Sequence, residues 1–142
     1  MNISSLLEFV IRIESAYEKF CKPAYEEFNL SKTSFDILMF LANNPKYSTA
    51  KDISQMKNIK PNVVSSHVDQ LVNDGYLERQ GVEGDRRMYK LVLLPKSNEI
   101  ISLGHKYQCD FYKTIIQGLS EEDLNLYHRC FKIIYDNAVN IK

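Results

Sequence analysis

Residues 76–94 constrain the fold of this chain more than any other stretch. Their middle, Glu83-Gly84-Asp85-Arg86-Arg87, is charged, holds a glycine, and lies between two runs of alternating apolar residues. Residues 76–82 and 88–94 read as strands, so the whole reads as a β-hairpin with two arginines at its tip. Directly upstream, residues 61–74 read as a polar-faced helix stopped by Gly75. A helix fits the major groove of duplex DNA, and a basic finger can lie beside it. This helix–hairpin outline is therefore suited to that target.

Composition permits such a fold and excludes others. A chain of 142 residues predicts one domain, long enough to bury a core. Apolar residues make up 44% and charged residues 25%, which argues against extensive disorder. No apolar run approaches the roughly 18 residues of a membrane span. The first twenty residues carry Glu8, Arg12, Glu14, Glu18 and Lys19, unlike a signal peptide. Cys21, Cys109 and Cys130 form an odd set without metal-type spacing. Reduced thiols and a cytoplasmic location are the simplest expectation, with no metal or other cofactor.

The formal net charge is zero, so its distribution matters more than its sum. Residues 51–96 hold eight bases against six acids, and the remainder holds ten bases against twelve acids. The excess falls on the helix–hairpin segment, with the sign DNA requires, but it is too small to identify a DNA binder alone.

Helical periodicity frames this segment on both sides. Ile3, Leu6, Leu7, Val10, Ile13, Tyr17, Phe20, Ala24 and Phe28 recur at steps of three and four, which predicts a long first helix over about 3–28. Pro23 is expected to kink or restart it. A helix so long in so small a chain needs a second subunit to cover its stripe. Ser31 can cap a second helix through Phe35, Ile37, Leu38, Phe40 and Leu41, stopped at Asn43-Asn44-Pro45. Thr49 with Asp52 resembles a capping box for a short helix to about Lys57. Pro61 then opens the fourth helix after the turn Asn58-Ile59-Lys60. Pro95 opens a long fifth helix to about Gln117. Ser120 with Asp123 forms a second capping-box pattern for the last helix, striped by Leu124, Tyr127, Phe131, Ile134, Ala138 and Ile141. The predicted order is α-α-α-α-β-β-α-α: mainly α with a small β-hairpin wing, a winged helix-turn-helix.

The fourth helix points Val64, Val68 and Leu71 inward. Asn62, Val63, Ser65, Ser66, His67, Asp69 and Gln70 are mostly left facing out. Solvent-facing helices usually carry long Glu and Lys, whereas small and amide side chains can approach bases and phosphates closely. A plain polar surface would also account for them in isolation. The basic hairpin that follows tips the balance toward DNA.

With these segments in order, the chain resembles the MarR family of bacterial transcriptional regulators over essentially its whole length. Leu30-Ser31 is similar to the family's Leu-Thr opening of its second helix, and Asp52-Ile53 to the acid–apolar pair of its third. Leu71-Val72-Asn73-Asp74-Gly75-Tyr76-Leu77-Glu78-Arg79 resembles the exit from its recognition helix. Gly84-Asp85-Arg86-Arg87 matches the wing pattern Asp-x-Arg, and Leu119-Ser120-Glu121-Glu122-Asp123-Leu124 resembles the start of its last helix. Two departures stand out: Leu94-Pro95 replaces the usual Leu-Thr, removing a cap from the fifth helix, and Glu83-Gly84 replaces Pro-Glu.

The resemblance implies a homodimer. Residues 1–28 and 96–142 would form its dimerisation helices, with Leu6, Val10, Phe131 and Ile134 in the seam, and residues 31–95 its DNA-binding lobe. It implies a palindromic DNA site, room for a small-molecule effector between dimerisation region and lobe, and repression as the commoner mode. Asn62 and Gln70 suit adenine edges, while Ser65, Ser66 and His67 suit bases or backbone. Arg86 suits a phosphate. Arg87 suits the minor groove, with Asp85 expected to orient its guanidinium by an ion pair.

Three rival readings remain open at this point. His105 and Cys109 lie four apart on one helix face, but two ligands do not make a metal site, and Cys21, Glu26 or Glu27 would have to contribute. The simpler alternative there is a surface histidine beside a buried thiol. Cys21, near Lys19 and Lys22, could be a redox-sensing thiol, though it adjoins the apolar stripe; Cys130 is similarly ambiguous. A winged helix can also serve as a protein-interaction module without DNA. An enzyme is not expected, because no phosphate loop, nucleophile elbow or His-Glu-x-x-His helix is present in the sequence.

Overall fold

A computed structural model describes residues 2–141. The elements are α1 (Ile3–Glu26), α2 (Lys32–Asn43), α3 (Ala50–Lys57), α4 (Pro61–Asn73), β1 (Leu77–Val82), β2 (Asp85–Leu93), α5 (Asn98–Ile115) and α6 (Glu121–Val139), with a 3-10 turn at Pro95–Ser97. They fall into two compact units, residues 1–108 and 109–142.

In the first unit, α2 is the centre. Every residue from Ser34 to Leu41 is buried, and Phe35, Ile37 and Leu38 are almost fully enclosed. They pack in one core with Ala24 and Tyr25 of α1, Ile53 of α3, Val64, Val68 and Leu71 of α4, Leu77 and Leu91 of the hairpin, and Ile100 of α5. The inward stripe predicted for α4 is thus buried in this core. Gly104 marks where α5 comes closest: a Cβ there would meet Met39 and stand 3.1 Å from Phe35.

Local signals set the element ends. Ser31 accepts the Ser34 amide at 3.1 Å and caps α2. At α3 the Thr49–Asp52 capping box is complete in both directions. The chain leaves α3 through Asn58 at φ 52°, a left-handed position Asn tolerates well. Gly75, at φ 80°, closes α4 in a Schellman arrangement. The Tyr76 amide bonds to the Leu71 carbonyl at 2.9 Å and the Gly75 amide to Val72 at 3.1 Å. That reversal turns the chain directly into β1.

Three expectations need correction. Pro23 does not restart α1; the helix runs through it to Glu26. A proline within the last turn forfeits one hydrogen bond near an end that is already losing them. The fifth helix does not begin at Pro95. A 3-10 turn intervenes, in which Ser97 returns both its amide and its hydroxyl to the Leu94 carbonyl, and α5 starts at Asn98. The second strand begins at Asp85 rather than Met88, so the arginines lie within β2 and the turn itself shrinks to Glu83-Gly84.

In the second unit, Ser120 and Asp123 form the predicted capping box. Tyr112 and His128 stack, with the phenol oxygen 2.7 Å from Nε2. Tyr127, Phe131 and Tyr135 continue an aromatic row at four-residue steps along α6. No residue of α6 is buried.

Candidate DNA-binding face

The wing takes its shape from an irregular register. β1 and β2 pair regularly from Leu77↔Leu93 to Gly81↔Tyr89, and the next pair is Val82↔Asp85. Arg86, Arg87 and Met88 are therefore extra residues on β2, opposite no partner on β1. Such a bulge twists the strand and drives its side chains outward. Two of the three extra residues are arginines, and both are exposed. Gly84, at φ 83°, makes the tight reversal beneath them.

Asp85 orients this bulge differently from expectation. Its carboxylate accepts the backbone amide of Arg87 at 2.9 Å rather than pairing with the guanidinium. A short acid two residues upstream reaches its neighbour's N–H more easily than the end of a long side chain. The bond constrains the backbone and leaves the Arg87 side chain extended to solvent.

On α4, Asn62, Ser65, Ser66 and Gln70 are exposed as the sequence predicts. His67 is not. It sits at the margin of the buried face, half-buried, with Nδ1 3.1 Å from the Ser34 hydroxyl and 3.4 Å from that of Ser31. Position 67 lies one turn from Val64 and Leu71, which carries its ring toward α2 rather than outward along the polar face.

Sequence reasoning gave no role to a second set. Asp69 is exposed on α4 and forms an ion pair with Arg79 of β1. Lys51, near the start of α3, joins Ser65, Arg79, Asp85 and Arg87 around a groove between α3, α4 and the wing. The i+3 and i+4 steps from Ser66 and Ser65 to Asp69 put it on the same face, which the sequence did contain. Its pairing with Arg79 across the chain reversal was not legible. Lys96 anchors the base of the wing, donating to the Asp74 carbonyl at 2.6 Å with its ammonium 4.5 Å from the Tyr76 ring centre.

The four residues expected in a dimer seam are all solvent-exposed within one chain: Leu6 is 37% and Val10 47% exposed, Phe131 54% and Ile134 58%. Cys21 is buried, and that burial pushes its thiol up, against formation of a reactive thiolate. Burial likewise raises Tyr17, whose hydroxyl accepts from Gln108 at 2.7 Å. His105 Nε2 lies 2.8 Å from the Asn43 carboxamide oxygen, which engages one of its two ring nitrogens. Cys109 is exposed in this chain, not the buried thiol the sequence suggested. Among the described residues no helix is long and apolar enough to cross a membrane.

Comparison with known proteins agrees with this geometry. Residues 28–88, the span from the end of α1 through the wing arginines, match the model of the MarR family. The transcriptional regulator PecS of Dickeya dadantii is 26% identical over 123 residues, covering 85% of this chain and 72% of its own. A MarR transcriptional regulator from Methanosarcina mazei superposes with a TM-score of 0.83 at 15% identity, over 100% of this chain and 94% of that one. A MarR family regulator from Listeria monocytogenes, solved in complex with 26-mer DNA, superposes with a TM-score of 0.79 at 15% identity, over 96% of this chain and 89% of that one. Family match, relative and fold converge: this chain is similar to the MarR family of transcriptional regulators, in sequence over residues 28–88 and in fold over its length.

Proposed function

We propose that the chain acts as a homodimer that binds a palindromic operator and represses transcription, with release by a small ligand. The observation that carries this reading is the bulged wing. Three unpaired residues of β2 present Arg86 and Arg87 beside an α4 face of Asn62, Ser65, Ser66 and Gln70. Arg87 enters the minor groove, where narrow A·T tracts concentrate negative potential. Asp85 fixes the backbone from which it extends. Arg86 meets a phosphate, Asn62 and Gln70 read base edges, and Ser65 and Ser66 contact bases or backbone. Leu6, Val10, Phe131 and Ile134 are covered by the second subunit. The cleft lined by Glu14, Tyr17, Lys32, Asp36 and Lys57 offers a ligand both charge signs and a phenol.

The test is selection of bound fragments from the source genome, followed by affinity measurement on the selected operator and its single-base variants. Half-sites are expected about 10–10.5 bp apart, so that both recognition helices meet one face of the duplex. Arg87→Ala should weaken binding to every variant. Asn62→Ala or Gln70→Ala should relax preference at particular base pairs by about 1–3 kcal/mol each. An Arg87→Ala protein that stays folded and dimeric with unchanged affinity would remove the wing from the interface.

A further inference from the structure

His67 lies on the helix that reads DNA, yet its ring is held from behind. Ser34, a buried residue of α2, places its hydroxyl 3.1 Å from Nδ1, and Ser31 places another at 3.4 Å. The Ser31 oxygen already accepts the Ser34 amide, so its own proton is free to point elsewhere. Both hydroxyls lie within hydrogen-bond distance of Nδ1 and can donate to it. The spot is also the N-terminus of α2, where unpaired amides carry partial positive charge that favours a lone pair over an N–H. The helix terminus therefore favours the imidazole proton on the other nitrogen, with the hydroxyls donating to Nδ1.

We propose that Ser34 and Ser31 fix His67 as the neutral Nε2–H tautomer, making it a donor to a DNA phosphate that couples the recognition helix to α2. The two ring nitrogens point away from one another, so a ring anchored through Nδ1 turns Nε2 away from the serines. The ring sits at the border between the buried stripe Val64–Val68–Leu71 and the exposed face of Asn62, Ser66 and Gln70. A border position meets the flank of the groove, where phosphates lie, rather than its floor. His67 thus sets where α4 rests against the backbone, and Ser34 acts through it as a positioning residue. This rests on the DNA-binding reading above and assigns His67 a place within it.

A neutral donor and a cation are separable by salt. Loss of a cation contact changes the slope of log K against log salt by about 0.9, whereas loss of a neutral N–H releases no counterion. His67→Ala is therefore expected to lower affinity on the order of ten-fold on the operator and all its single-base variants, with the salt slope unchanged. Ser34→Ala should lower it in the same way, and the double variant should lose little more than either single one. His67→Gln, which keeps an N–H near the Nε2 position, should recover part of the loss. In the DNA-free protein, imidazole nitrogen spectra should show Nε2 protonated and Nδ1 accepting, with the Nδ1 signal moving in Ser34→Ala.

A loss confined to one base pair, a slope changed by about one contact, additive Ser34 and His67 effects, or an Nδ1–H tautomer would each overturn the proposal. Failure of the wild-type protein to select any DNA would instead overturn the function above. The nitrogen spectra would still report the tautomer, so the two failures are distinguishable.

Discussion

Helices α2 and α6 make an instructive pair. Both carry apolar residues at steps of three and four, and both begin at a serine cap. Yet α2 buries an unbroken run from Ser34 to Leu41, whereas α6 buries nothing from Glu121 to Val139. Hydrophobic period identifies which face of a helix seeks cover. It does not say whether the same chain supplies the cover. Elements surround α2 on several sides, while Phe131, Ile133, Ile134 and Tyr135 of α6 and Leu7, Phe9 and Ile11 of α1 stay exposed. Exposed apolar area on this scale marks an interaction surface, and a second copy of the chain is the occupant the proposed homodimer requires.

The sharpest way to break this contrast is to charge the exposed stripe. Leu6→Asp with Val10→Asp would place two carboxylates in the proposed seam, where each unpaired buried charge costs several kcal/mol. Sedimentation should show the variant monomeric or misfolded, against a dimeric wild type. A wild type that sediments as a monomer at micromolar concentration would refute the seam itself.

A milder comparison truncates one residue in each region. Phe35→Ala, at a side chain only 1% exposed, should cost about 3–5 kcal/mol in urea unfolding. Ile134→Ala, at a side chain 58% exposed, should change the stability of the monomer by no more than about 0.5 kcal/mol while weakening dimerisation. Equal losses at both sites in a dilute, monomeric sample would mean that the α6 stripe is already covered within one chain.

The smallest expected effect tests how tightly α5 is held against α2. Gly104→Ala forces a methyl onto Met39 and Phe35 and should cost about 1–3 kcal/mol. Gly81→Ala has nothing within 4 Å of its new methyl, so its unfolding midpoint should barely move. If Gly104→Ala is as harmless as Gly81→Ala, the flexible Met39 side chain gives way and the close approach of α5 to α2 is not a tight constraint.

Much of the architecture was legible because its signals are short-range. Both capping boxes need only a hydroxyl and an acid three residues apart, and both form. Gly75 was read as a helix stop because only a left-handed residue completes that closure, and it stands at φ 80°. The polar face of α4 followed from the 3.6-residue period. What the sequence misread depended on which neighbour lay across the fold. Asp85 was assigned the guanidinium of Arg87 and bonds to its backbone instead. His67 was read as facing out with the rest of the polar face, whereas serines 33 and 36 residues away hold its ring from behind.

By itself, then, the sequence determined the order of helices and strands, the apolar face of each helix, and the family motifs that run from Leu30 to Leu124. Tertiary structure alone decided the three-residue bulge that frees the wing arginines, the Asp69–Arg79 pair across the reversal, and the serine pair behind His67. The physical reason is range. Caps, turns and amphipathic periods are settled by groups within about one helical turn, so adjacent residues encode them. Strand register and side-chain pairing join residues distant in sequence, and their geometry exists only once the core around α2 has closed.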